Sequence, residues 1–187
     1  ECPFLLGHSM GGKAAMRCAC DRPTNLRGLI VADIAPRDYP PHYQEAFRAM
    51  AALELDTLAS RKDADEALAD DVPDWAMRQF LLTNLVRDAE GFTWQVNLDA
   101  LMANRVALAA NPLGENERFG GPTLFLRGED SAFVKDDDMP DIERFFPNSQ
   151  VMTIEDSGHN VHVENKPAFV SAVTYFAEDV LGENARS

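Results

Sequence analysis

The stretch LLGHSMGG, Leu5 to Gly12, limits what this chain can become more than any other. It sets a serine among glycines, Gly7-His8-Ser9-Met10-Gly11, after a short apolar run and before the alanine-rich segment Lys13 to Cys20. An apolar run that ends in glycine and passes at once into helix-forming sequence reads as strand, tight turn and helix. A serine at such a corner sits on strained backbone with its hydroxyl exposed, and small neighbours let strand and helix approach each other. Gly7, Gly11 and Gly12 are read as giving that room, and Ala14 and Ala15 as keeping the helix close to the sheet. The corner also aims the Met10 N–H, at a helix N-terminus, toward an oxyanion. Ser9 is thus a candidate nucleophile and Met10 a candidate oxyanion donor.

The rest of the chain supplies a setting for that corner. LRGLIVADIAP is a near-continuous apolar run closed by Asp33 and Pro36, the pattern of a strand buried on both faces of a parallel sheet. From Arg37 to about Arg118 the sequence turns helical. Tyr43, Phe47, Met50 and Ala51 keep a helical period, Ser60 with Asp63 and then Asp74 look like helix starts, and Asn97 opens LDALMANRVALAA, which Pro112 ends. GFTWQV reads as a brief strand or extended linker. The sheet resumes at GGPTLFLRGED, followed by the helix DDMPDIERFF, the strand SQVMTIEDSGH and a last helix with Phe169, Val170, Val173, Phe176, Ala177 and Val180 on one face. The expected fold is α/β, a mostly parallel sheet flanked by helices. Residues 1–36 and 119–187 form its core, and 37–118 form an inserted helical cap. A length of 187 residues suits one domain with such an insertion.

A serine nucleophile needs a base, and on this fold the order along the chain is serine, acid, histidine. His159 follows a strand and Gly158, at the carboxyl end of the sheet where open parallel sheets place their sites, and is the candidate base. His8 adjoins the nucleophile and is read as packing against or lining the pocket. His42 lies in the proline-rich entrance to the cap. His162 is read as a loop or packing histidine, with no third ligand for a metal. The acid has two candidates. Counting three residues beyond Gly128 reaches Ser131, which cannot serve, and Asp130 stands one residue early. Asp33 ends the strand after the nucleophile's helix, at the same sheet edge as Ser9, and is preferred to Asp130 because the acid must orient the imidazole.

Composition narrows the partners. Seventeen basic against 31 acidic side chains give a net charge of −14, which disfavours nucleic acid and anionic lipid surfaces. No apolar run approaches the roughly 20 residues that cross a bilayer. The three cysteines, Cys2, Cys18 and Cys20, are read as free thiols of a reducing compartment, and Asp136 to Asp138 as a solvated helix start. No cofactor or metal is expected. The surface is consistent with cytoplasmic residence, or mitochondrial in a eukaryote.

LLGHSMGGKAAM, VADIAP, RQFLLTNLV, FTWQVNLDAL, PTLFLRGEDSAFV and GHNVHVENKP together resemble the alpha/beta-hydrolase domain-containing protein 11 family and its bacterial relatives, the YbfF-type esterases. The resemblance covers essentially the whole chain. It implies a serine ester hydrolase with a helical cap, the C-terminal part of an alpha/beta-hydrolase fold, acting on short-chain acyl esters or thioesters. It also places the acid on Asp33 and puts Ser131 in the same hydrogen-bond network. Asn160 departs from the aromatic residue that commonly follows the histidine in relatives. Other chemistries on the same triad, C–C bond hydrolysis or acyl transfer, stand as alternatives. So does a partner-binding role like that of mitochondrial members, for which this sequence carries no signature. The full fold places strands and helices before the nucleophile, including the loop that gives a second oxyanion N–H. The sequence reads as an N-terminally truncated member, weak on its own.

Overall fold

The computed structural model describes residues 2–40, 44–89 and 91–184. His42 and Tyr43 lie outside the described residues. The chain divides into two compact units, Glu1–Asp38 with Ala110–Ser187, and Tyr39–Ala109.

The first unit is built on four parallel strands in the order β1-β2-β5-β6: β1 (Phe4–His8), β2 (Gly28–Ala32), β5 (Thr123–Gly128) and β6 (Ser149–Ile154). Every residue of β2 is buried, as its unbroken run of GLIVA requires. Alternate residues serve opposite faces of the sheet. Ile30, Ala32, Leu124, Leu126 and Ile154 pack against Ala172, Phe176 and Val180 of α9 (Lys166–Asn184). On the other face a Cβ placed on Gly12 would meet Val31, so α1 (Met10–Asp21) lies there, and Phe125 stacks edge-on with Phe146 just past α7 (Met139–Phe145). The register aligns His8, Ala32, Leu126 and Met152 across the four strands. Their carboxyl ends therefore form one edge.

Three expectations about α9 and α1 are corrected. Val170 is 50% exposed, and the buried stripe instead runs through Phe169, Ala172, Val173, Phe176 and Val180, which keeps the helical period more closely. On α1 the buried face is Gly12, Ala15, Met16 and Ala19, while Ala14 is exposed. Gly11 is also not a packing glycine, since a Cβ there would meet nothing within 4 Å. The close approach falls on Gly7, whose added Cβ would collide with the Gly11 carbonyl, and on Gly12, whose Cβ would lie 2.5 Å from Ile34 Cγ2.

The second unit contains α2 (Gln44–Ala52), α3 (Arg61–Ala67), α4 (Trp75–Leu82), the hairpin of β3 (Leu85–Arg87) and β4 (Phe92–Trp94), α5 (Leu98–Ala103) and α6 (Arg105–Ala109). Its core gathers Met50, Ala64, Leu68, Leu81, Leu82 and Leu85. Ser60 and Asp63 form a full capping box, and Asp74 and Asn97 cap α4 and α5 through Ala76 N–H and Ala100 N–H. The single helix read from Asn97 onward is broken at Asn104, whose side-chain amide donates to Ala100 O. Trp94 Nε1 donates to Met50 O at 3.0 Å, tying the hairpin to α2. Residues 110–118, read from the sequence as part of the cap, belong to the first unit, where Asn111 N–H donates to Asp38 Oδ1 and Leu113 is buried.

Lys13, one turn into α1, is buried with its ammonium 2.6 Å from Ala110 O. Burial lowers its pKa to about 8, opposed by Asp38. Asp138 likewise differs from the solvated reading of the 136–138 run: it is buried and its Oδ1 lies 2.7 Å from Arg37 Nε. Among the described residues no helix is long and apolar enough to cross a membrane.

Gly7→Ala and Gly12→Ala are each expected to lower stability by about 1–3 kcal/mol through overpacking. Gly11→Ala should be neutral or gain up to about 1 kcal/mol, the helical advantage of alanine over glycine. Thermal unfolding of the three variants checks this, and equal losses at all three would refute the assignment of close approach.

Candidate active site

The residues singled out in the sequence lie just past the ends of the four strands. Ser9 follows β1 and precedes α1, with φ 53° and ψ −122°. A non-glycine residue in this region is strained and is held only where its surroundings fix it. Ser9 N–H donates to Ala32 O at 2.9 Å, and Ser9 O accepts Lys13 N–H at 3.1 Å. One bond belongs to the sheet and the other to the helix, and the serine is bent between them. Met10 is the first residue of α1, and the first N–H groups of a helix have no carbonyl of their own helix to bond. Its N–H thus lies at the corner that Ser9 forms between β1 and α1.

Asp33 follows β2 with φ 50° and no solvent exposure. Aspartate tolerates the left-handed region better than most residues. Its carboxylate accepts from three groups: Gly128 N–H at 3.0 Å, the Ser131 hydroxyl, and His159 Nδ1–H at 2.8 Å. His159 Nε2 lies 2.9 Å from Ser9 Oγ. Ser9, His159 and Asp33 thus form one continuous hydrogen-bonded chain, and a proton on Nδ1 bonded to Asp33 leaves Nε2 facing the serine as an acceptor. Asp130, the alternative acid, is exposed. Its N–H donates to Ser157 O at 2.9 Å, and the position beside His159 Nδ1 is held by Asp33. The loop count that stops at Ser131 is explained by its hydroxyl, which donates to Asp33 and accepts Phe133 N–H at 3.2 Å.

His8, the last residue of β1, points its Nε2–H at His159 O, 2.7 Å away. Its ring lies 4.7 Å from those of both His159 and His162. Burial is the largest cause that lowers its pKa below the ordinary value, and the nearby His159 and His162 act the same way, opposed by the bond to the His159 carbonyl and by Asp33. A neutral ring suits its role as donor. His162 is exposed and lies edge-on to Phe169. Among the described residues no cluster of three or more His, Cys, Asp or Glu side chains is arranged to hold a metal ion.

Two residues at the site escaped the sequence reading. Glu164 closes α8 (Val161–Glu164) and straddles the base: its carboxylate accepts Gly158 N–H at 2.7 Å and Asn160 N–H at 2.9 Å, the amides on either side of His159. A carboxylate one turn into a helix that returns to the N-cap amide is the signal that could have found it. Phe133 stacks on the His159 ring, with centroids 3.8 Å apart and planes 21° from parallel. No spacing rule links residues 133 and 159. Gly128 lets the base loop pass, since a Cβ there would lie 2.7 Å from Ser157 O.

The chain also matches known proteins. The model of the alpha/beta hydrolase family matches residues 1–173. The mouse (Mus musculus) sn-1-specific diacylglycerol lipase ABHD11 is 40% identical over 178 residues, covering 92% of this chain and 58% of that protein. Escherichia coli esterase YbfF is 29% identical over 179 residues, covering 94% of this chain and 67% of that one. A solved marine microorganism esterase superposes with a TM-score of 0.89 at 30% identity, over 94% of this chain and 70% of its own. The chain spans little more than half the length of the mouse relative. On this match across nearly its whole length, the chain belongs to the alpha/beta hydrolase family.

Proposed function

We propose that the protein is a serine hydrolase that cleaves carboxylic ester or thioester bonds of small, short-chain acyl substrates through an acyl-enzyme. The observation that carries this reading is the continuous chain from Ser9 Oγ to His159 at 2.9 Å and from His159 to Asp33 at 2.8 Å, with the serine on a strained corner. Relatives named as an esterase and a diacylglycerol lipase support ester chemistry.

In this reading Ser9 Oγ attacks the acyl carbon while His159 Nε2 takes its proton, and the Met10 N–H stabilises the oxyanion. The imidazolium then gives that proton to the departing alcohol or thiol. Water, deprotonated by the same nitrogen, releases the acid and restores Ser9. Asp33 stays ionised throughout and holds the ring, and Ser131 and Gly128 N–H hold Asp33. His8 supports the backbone of the base from β1. Epoxide hydrolase and dehalogenase chemistry need a carboxylate where Ser9 stands. The unit Tyr39–Ala109 is proposed to act as the helical cap.

Ser9→Ala in the natural protein is expected to lower hydrolysis of p-nitrophenyl acetate at least about a thousandfold, and retention of wild-type rate would end the proposal. Asp33→Asn should cost on the order of 10⁴-fold in kcat by stranding the imidazole in the wrong tautomer. Asp130→Asn is expected to stay near wild type, and steady-state kinetics of the pair decide between the two acids. His8 makes a stability signature of its own. Its folded pKa lies below the unfolded 6.5, so the stability of its neutral form is complete above pH 6.5 and is lost as pH falls below that value. Melting temperatures should therefore fall more steeply below pH 6.5 in the wild type than in His8→Asn, and parallel curves would contradict a buried neutral His8.

A further inference from the structure

The His159 ring has partners in its own plane at both nitrogens, Asp33 and Ser9, but its face is covered by Phe133. The loop that brings Phe133 there is fixed at several points. Ser131 N–H donates to Gly128 O at 3.2 Å, and Phe133 N–H donates to Ser131 Oγ at 3.2 Å. Arg37 Nη2 donates to Phe133 O at 3.4 Å, and Val134 beside it is buried. The Ser131 hydroxyl that completes the Asp33 carboxylate thus also sets the backbone that carries the ring.

We propose that Phe133 is a positioning residue of the base, holding the His159 imidazole in line with Ser9 and Asp33 and stabilising its protonated form across the ring face. This rests on the hydrolase reading above. The face of a benzene ring carries negative potential and attracts a cation lying over it. During the reaction His159 becomes a cation by taking the serine proton, so the attraction strengthens as the reaction proceeds and speeds the chemical step rather than substrate binding. Among the described residues, the other charged or titratable groups set around His159 are Asp33 at the end of β2, His8 at the end of β1 with His162 against it, and Glu164 on the flanking amides. None of them takes the place of Phe133 at 3.8 Å over the ring.

The test compares Phe133→Leu, Phe133→Met and Phe133→Tyr in the natural protein with p-nitrophenyl acetate. The two aliphatic variants are expected to lower kcat and kcat/KM equally, by roughly two- to fivefold, and to move the acid limb of the kcat/KM profile about half a pH unit lower. Phe133→Tyr, which keeps the aromatic face, should restore both. Unshifted profiles, or tyrosine no better than leucine, would overturn the assignment. A second readout needs no turnover: an NMR titration of the His159 ring in the Ser9→Ala background. There too Phe133→Leu or Phe133→Met should lower the midpoint relative to Phe133→Tyr, and coincident midpoints would refute the proposal. If Ser9→Ala keeps wild-type activity the hydrolase reading fails, whereas an inactive Ser9→Ala with coincident titrations fails only the role of Phe133.

Discussion

A carboxylate with no exposure to water is the constraint on which this site depends. Burying an ionised group without compensating hydrogen bonds costs several kcal/mol, so Asp33 persists only because three donors converge on it. They come from the end of β5, the loop beyond it and the loop after β6. Asp33 itself is anchored by its N–H on Leu126 O at 2.7 Å and by left-handed backbone. Satisfying one side chain thus brings the carboxyl ends of three strands into a fixed relation. Ser9 joins through the fourth, since its N–H reaches Ala32 O, the residue just before Asp33.

Much of this was legible because parallel sheets leave a plain record. Continuous apolar runs such as GLIVA and LFL mark the buried strands, and each run ends toward the edge where Ser9, Asp33 and His159 meet. Helix starts carried by Ser60, Asp74 and Asn97 were readable because capping is a local bond within three residues. What failed was non-local. LVR lies in a helical pattern and becomes β3 only because FTW returns to pair with it. The packing role of Gly11 could not be told from that of Gly12, since the difference is which one faces Ile34 and Val31. Asp138 reads as a surface acid until Arg37, a hundred residues earlier, is brought beside it.

The same division holds within the site. Ser9, Asp33 and His159 announce themselves by residue type and by place at strand ends. Phe133 does not, because an aromatic side chain in a loop carries no chemistry until something lies against its face. Glu164 is intermediate: its bonds span only a few residues, yet its carboxylate looks like an ordinary acid in a short exposed helix. The members of the Ser9–His159–Asp33 chain are thus legible by type, and the residues that hold them by contact. His8 belongs to the second group although it adjoins the nucleophile, since its side chain is committed to a carbonyl 151 residues away.

Tyr39 N–H donates to Ala109 O at 2.9 Å, so the second unit leaves and returns through neighbouring points. A segment whose ends already meet can change in length at little entropic cost to those ends. Among the described residues the hydrogen bonds that join Ser9, Asp33 and His159 run within the first unit, so a change in the length of the inserted segment need not pass through them. Change in the inserted segment and upkeep of the Ser9–His159–Asp33 chain then draw on different stretches of the sequence.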